Sequence, residues 1–270
     1  MNRQLIQEIE QIDVPIDIMN IFSLDNYVSV ITGGASGLGE AIAIGLASFG
    51  SHIVLLDMNT DGLNRVKKRI EALDRKCEVF VVDVTNWELI TEARERTKEI
   101  FGYVDVLVNC AGMNIRKPVL EMQPAEFRKI VDIDLTGTFL CSKAFGEMMV
   151  ERKSGSIINL ASINAHIAME KQAGYASSKG GIVQLTKVLA LEWAKYNVRI
   201  NALSPAHHKT PLVTELVKDA AWYNDLVSRI PLGRFGEAYE IIGPAVFLAS
   251  KASSFMTGIS LLTDGGWTAI

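Results

Sequence analysis

The chain has 270 residues, of which 49% are hydrophobic. That is enough to fill a sizeable core, and it excludes a disordered or low-complexity role. A net charge of −4 with no basic stripe argues against nucleic acid or an anionic membrane surface as partner.

Three cysteines, Cys77, Cys110 and Cys141, are odd in number and lack metal-ligand spacing. They read as reduced thiols in a cytoplasmic protein, and no metal site is expected. No apolar run approaches the ~20 residues of a membrane span. The first residues carry Glu8 and Glu10 and lack the apolar region of a signal peptide.

Residues 1–26 form an N-terminal extension. Leu5, Ile6, Ile9 and Ile12 can share one face of a short helix, which Pro15 would end. A helix lying on its own domain, or a frayed tail, is preferred to an arm over a neighbouring subunit or the cofactor. Val28–Thr32 is a short β-branched run, followed by Gly33-Gly34-Ala35-Ser36-Gly37-Leu38-Gly39 and a helical pattern to Phe49. This predicts a buried strand, a tight turn and a helix start, whose free amide groups can hold a pyrophosphate. Glycine is needed where the loop turns and where backbone must approach the phosphates.

The next strand, Ser51–Asp57, closes on an acidic residue placed to accept hydrogen bonds from an adenosine ribose. Asp57 would also repel a 2′-phosphate, so NAD is expected rather than NADP. A helix follows over Thr60–Leu73, with Leu63, Val66, Ile70 and Leu73 on one face. Glu78–Val82 is a third strand, leading into Asp83-Val84. After a helix through Phe101, Val104–Val108 is a fourth strand that ends in Asn109-Cys110-Ala111-Gly112.

A long helical region is expected from Pro124 to Glu151, then a strand at Ser156–Leu160. The helix Ala173–Tyr196 feeds a sixth strand, Val198–Leu203, and Ile259–Thr263 is a seventh. Apolar strands alternating with helices predict a parallel sheet covered on both faces. The fold class is therefore α/β: a single doubly wound, Rossmann-type domain over residues 27–270 with a seven-stranded parallel sheet. Ligands bind such sheets outside the carboxyl ends of the strands. This selects Gly33, Ser36, Gly37, Leu38, Gly39, Asp57, Met58, Asp83, Val84, Asn109, Ala111, Gly112 and the segment that follows Leu203, including Pro205. Asp83 can accept from the adenine amine, and Asn109–Gly112 would pass beside the adenosine ribose.

Tyr175 and Lys179 are four apart on a predicted helix, so they share a face. A nearby ammonium favours the phenolate and brings a tyrosine, with its reference pKa near ~10, toward acid/base work at neutral pH. Ser162, just past the fifth strand, can reach the same spot and hold a substrate oxygen while hydride moves to or from the adjacent carbon.

These pieces, with Thr32–Gly39, Asp83-Val84, Asn109–Gly112, Asn201–Pro205, Thr210-Pro211 and Asp264-Gly265-Gly266, resemble the short-chain dehydrogenase/reductase family from about residue 23 onward. The resemblance implies Tyr175 as general acid/base and Lys179 as the residue that lowers its pKa and binds the nicotinamide ribose. It also implies Ser162 as the residue orienting the substrate oxygen and Thr210 as the contact to the carboxamide. The same likeness implies a homotetramer, and the charge and the lack of a long apolar run leave no nucleic-acid or membrane partner expected.

Three departures stand out. Where the family usually has an asparagine that holds a water in a proton relay to the lysine, this chain has Asp134, which can keep the relay with altered pH dependence or weaken it. A usual Pro-Gly is Pro205-Ala206, followed by His207 and His208, which read equally as a substrate-facing polar pair or as exposed loop residues. Cys110 replaces a second asparagine, as a small buried residue.

Gly112–Lys117 and Arg229–Arg234, with the closing Asp264-Gly265-Gly266-Trp267, resemble the branch that oxidises gluconate and 2-deoxygluconate. Arg116 or Lys117 can pair with a sugar-acid carboxylate. Residues 210–232 read as a helical lid, with Leu212, Leu216, Trp222 and Tyr223 available to line a pocket. The expected activity is NAD(H)-dependent interconversion of a secondary alcohol and a ketone on a sugar acid or polyol. The alternatives are a 3-oxoacyl thioester reductase, which Asp57 speaks against, and a cofactor-binding protein without turnover.

Overall fold

In the computed structural model, residues 18–213 and 218–269 are described. The expected helix of Leu5, Ile6, Ile9 and Ile12 lies outside them, as do Leu216, Ile270 and the Leu212 side chain. The elements run β1 (Val28–Thr32), α1 (Gly37–Ser48), β2 (His52–Asp57), α2 (Thr60–Glu71), β3 (Cys77–Val81), α3 (Trp87–Phe101) and β4 (Val106–Asn109). They continue with α4 (Pro124–Val131), α5 (Gly137–Arg152), β5 (Gly155–Leu160), α6 (Ala173–Trp193) and β6 (Val198–Pro205). The last are β7 (His208–Lys209), α7 (Ala220–Ser228), β8 (Gly236–Glu237), α8 (Ile242–Ala249) and β9 (Ser260–Thr263).

Seven strands form one parallel sheet in the order β3-β2-β1-β4-β5-β6-β9, as expected. Strand alternation feeds two cores. Val28 and Val30 of β1 pack on one face with Ile90, Phe145 and Met149, and Ile31 packs on the other with Ile42, Leu46 and Leu248. Each such fully buried side chain is worth roughly 1.5–3 kcal/mol. The helices start and stop where side chains satisfy their ends. Asn59 and Asn86 accept from Gly62 N and Leu89 N, and Gly102 ends α3 with φ +82°. No helix among the described residues is long and apolar enough to cross a membrane.

The structure departs from expectation in three places. The helical region from Pro124 is interrupted by a π turn, Asp132–Thr136, which joins α4 to α5 and carries Asp134. Hydrophobic spacing does not distinguish one wider turn inside a helix, and such turns are frequent at functional sites. A two-residue parallel ladder, His208 with Gly236 and Lys209 with Glu237, ties the loop after β6 to the return from α7. A ladder this short has no period to read. The third is β4, which starts and ends later than its apolar run, because pairing with β1 sets the strand ends.

Candidate active site

At the carboxyl ends of the strands lies a cavity of 680 Å³. Its floor is the β1–α1 turn. Gly33 has φ +68°, and a Cβ there would sit 2.8 Å from the backbone of Ala111; at Gly39 it would sit 2.2 Å from the Gly33 carbonyl. Nothing larger than hydrogen fits at either position. Ser36 precedes α1 without a side-chain capping bond, so no side chain of this residue competes for the first amides of the helix.

Thr32 Oγ1 accepts from Cys110 N at 3.0 Å and Ala111 N at 3.1 Å, which draws the loop after β4 against the glycine turn. Asp57 closes β2 and accepts from Ala35 N at 3.1 Å through Oδ2 and from Asn59 N at 2.9 Å through Oδ1. Thr85 takes one oxygen of Asp83. Gly33, Ser36, Gly37, Leu38, Gly39, Asp57, Met58, Asp83, Val84, Ala111, Gly112, Tyr175, Lys179, Pro205 and Thr210 all line the cavity.

Asn109 is the exception. Its side chain is buried in the sheet, where Nδ2 donates to Ser142 Oγ at 2.9 Å and Asn159 Oδ1 at 2.8 Å. It belongs to the strand end, but strand parity turns the side chain inward, so the expected lining role passes to Cys110, Ala111 and Gly112. Burial pushes the Cys110 thiol up to about 12. It is a protonated, unreactive wall of the cleft.

Tyr175 and Lys179 face the cavity from the first turns of α6. The Lys179 ammonium lies 5.3 Å from the Tyr175 ring centroid, donates to Leu160 O at 2.9 Å and sits 3.3 Å from Asp134 Oδ2. Asp134 is fully buried, and its Oδ1 accepts from Met113 N at 2.8 Å. The aspartate therefore meets the lysine directly as an ion pair. Burial works to lower the Lys179 ammonium, but the Asp134 and Tyr175 charges outweigh it and hold the group above its ordinary value. Ser162 Oγ accepts from Asn164 N at 3.2 Å. With Tyr175 it lines a smaller cavity of 110 Å³ that shares Leu38, Pro205 and Thr210 with the larger one.

A family model described as enoyl-(acyl carrier protein) reductase matches residues 33–268. The chain is similar to a short-chain type dehydrogenase/reductase from Mycobacterium marinum, at 32% identity and TM-score 0.89, covering 94% of this chain and all of that one. The chain belongs to the short-chain dehydrogenase/reductase family.

It is also 35% identical to the 5-keto-D-gluconate 5-reductase of Escherichia coli strain K12, over 92% of this chain and 97% of the relative. A gluconate 5-dehydrogenase from Burkholderia cenocepacia J2315, solved in complex with NADP and tartrate, superposes with TM-score 0.90. That structure is 34% identical and covers 93% of this chain and 99% of its own. The protein is an NAD(P)-dependent short-chain dehydrogenase acting on CH–OH groups. The glycine cradle and uncapped helix start described above suit the pyrophosphate of such a cofactor.

The smaller cavity of this dehydrogenase is lined by Asn114, Arg116, Asn164, Gln172, His207 and His208 besides Ser162 and Tyr175. Asn114, Asn164 and Gln172 are absent from the sequence-level assignment. Isolated amides carry no motif, although Asn164 lies two residues past Ser162 and Asn114 lies within a recognised stretch. Asn114 Nδ2 donates to Gln172 Oε1 at 2.6 Å, and the Oδ1 atoms of Asn114 and Asn164 are buried without a protein partner. Arg116 lies 5.2 Å over the Trp222 ring, whereas Lys117 pairs with Glu126 at 2.5 Å and is spent there. Trp222 therefore backs the cavity through Arg116 and does not line it. Among the described residues no group of histidine, cysteine or acidic side chains could hold a metal.

Neither histidine is an exposed loop residue. His208 is 6% exposed, and its Nδ1 lies 3.0 Å from Ala206 O. His207 stacks between Phe235 at 5.1 Å and Trp267 at 5.5 Å and meets the edge of Trp222 at 6.0 Å. Burial, reinforced by the charges of Arg116 and His208, depresses its imidazole to about 4.

Because the unfolded chain binds this proton below its ordinary 6.5, stability falls as pH drops from 6.5 toward 4, by roughly 3 kcal/mol from this residue. His207→Phe is expected to flatten that part of the melting-temperature profile. An acid-side slope unchanged by the substitution would remove His207 as its source.

Proposed function

We propose that the protein is an NAD(H)-dependent dehydrogenase that interconverts a secondary alcohol and a ketone on a sugar acid or a related polyol. The observation that carries the substrate class is Arg116. It is half-buried at the cavity that holds Ser162 and Tyr175, it sits over Trp222, and no carboxylate among the described residues pairs with it. Burial lowers its guanidinium from the ordinary value, and a substrate carboxylate would return a charge-assisted pair. Asn114, Asn164 and Gln172 offer amides to the hydroxyls of such a chain. The names of the Escherichia coli and Burkholderia relatives support a gluconate-like substrate.

The chemistry assigned to the residues follows from their placement. In oxidation, Ser162 Oγ and the Tyr175 phenolate hold the substrate hydroxyl, and the phenolate takes its proton as general base while hydride leaves the adjacent carbon. Lys179 stabilises the negative charge that the phenolate carries before it takes the proton, and Asp134 holds Lys179 in place. The nicotinamide, when bound, supplies the hydride acceptor or donor. Asp57, which closes β2 and lines the cavity, supports NAD because its carboxylate would repel a 2′-phosphate bound beside it.

The test is a comparison of 5-keto-D-gluconate, gluconate and neutral polyols with both cofactors. Arg116→Ala is expected to raise KM for the acids about tenfold or more and to leave KM for neutral polyols near wild type. An equal loss on both classes would refute the carboxylate assignment. NADP+ used as well as NAD+ would refute the Asp57 argument.

A further inference from the structure

One carboxylate gathers two cations behind the β1–α1 turn, one residue removed from Asp57. Glu40, on the first turn of α1, accepts from Arg65 Nη1 at 2.6 Å, from Arg65 Nη2 at 2.7 Å and from Arg69 Nη1 at 2.5 Å. The Glu40 side chain is 13% exposed, while the two arginines, on α2, are 53% and 55% exposed. Arg65 Nη2 also donates to Ala35 O at 2.9 Å, and the N–H of that same Ala35 is held by Asp57 Oδ2. Arg65 and Asp57 thus grip one loop residue between them, at the place where Asp57 meets the cleft.

Two guanidinium groups on one carboxylate leave a positive charge in excess, so neutralising Glu40 does not account for both. Burial works against the Glu40 carboxylate, but the arginines outweigh it and keep the group below its ordinary value, so it stays ionised at neutral pH. Arginine is the side chain best shaped to bind a phosphate, through paired N–H donors. Here the paired donors of Arg65 are spent on Glu40 and Ala35.

We propose that Glu40 is a cofactor-specificity residue that holds Arg65 and Arg69 in a clamp away from the adenosine 2′ position, so that no cation there meets a 2′-phosphate. This rests on the NAD assignment and adds a second layer to it. Asp57 repels the phosphate, and Glu40 withholds the cations that would attract it.

The test uses the full-length protein. Affinity for adenosine 2′,5′-bisphosphate and for 5′-AMP is measured by calorimetry, alongside kcat/KM for NADP+ and NAD+, in Asp57→Ser, in Asp57→Ser with Glu40→Gln, and in that pair with Arg65→Ala and Arg69→Ala. Adding Glu40→Gln is expected to tighten the bisphosphate about tenfold or more over Asp57→Ser alone, with 5′-AMP unchanged. Removing the arginines is expected to abolish the gain. Glu40→Asp, one methylene shorter, replaces Glu40→Gln if the amide variant fails to fold.

No gain from either Glu40 variant, or a gain that survives loss of both arginines, overturns the proposal. Wild-type preference for NADP+ overturns the NAD assignment by itself, and the Glu40 comparison still reports separately on whether the arginines are withheld.

Discussion

Tyr175→Phe is expected to lower kcat by about 10³-fold while leaving the affinity for NADH close to wild type. The ring on α6 and its 5.3 Å approach to the Lys179 ammonium are kept, so the substitution deletes only the hydroxyl. The proposed mechanism uses that oxygen twice, to hold the substrate hydroxyl and to move its proton. Ser162 is left with the first task and nothing takes the second. Steady-state rates with NADH fluorescence titration separate the two effects. Turnover near the wild-type rate would remove Tyr175 from the proton transfer.

The second large effect concerns the buried pair. Lys179→Met leaves the fully buried Asp134 carboxylate without its cation, a change that costs about 3–5 kcal/mol in comparable settings. Activity is expected to fall with it, since the phenol loses its neighbouring charge. Adding Asp134→Asn to Lys179→Met is expected to restore most of the stability and none of the activity, because an amide needs no counter-ion. Urea unfolding and initial rates on the two variants distinguish a structural from a chemical loss. If the double variant regains activity, Lys179 does not act on Tyr175.

The pH dependence of this pair has a defined sign. Lys179 holds its proton more tightly in the folded protein than at its ordinary value of 10.5. Its contribution to stability is therefore complete at neutral pH and is lost as pH rises above 10.5 through the raised folded value. The two residues thus contribute on opposite sides of neutrality, His207 as pH falls below 6.5 and Lys179 as it rises above 10.5.

The legible parts of the site share one property: their residues are close in the chain. The glycine turn, Asp57 at the end of the next strand and the Tyr175–Lys179 pair are each contained in a single strand–turn–helix or a single helical turn. Their geometry follows from local spacing. Asn109 shows the limit of that logic, since its position at a strand end was clear but the face its side chain takes depended on where β4 begins. His207 shows another. Two adjacent histidines in a loop carry no orientation, and the stack on Phe235 and Trp267 exists only because the loop after β6, the return from α7 and the C-terminal turn converge.

By itself, the chain determined the alternation of strands and helices, the parallel sheet and the glycine-rich turn at the first strand end, while the roles proposed for Ser162, Tyr175 and Lys179 came from a family resemblance carried by their order and spacing. Only the tertiary structure decided which charges meet. Asp134 reaches Lys179 through a π turn, Glu40 joins Arg65 and Arg69 across two helices, and Arg116 meets the Trp222 ring but no carboxylate among the described residues, while Lys117 is taken by Glu126. The reason is physical. Periodicity and spacing specify backbone geometry over a few residues, whereas a charge's partner is set by packing between segments remote in the chain. The substrate class proposed from Arg116 depends on that second kind of information.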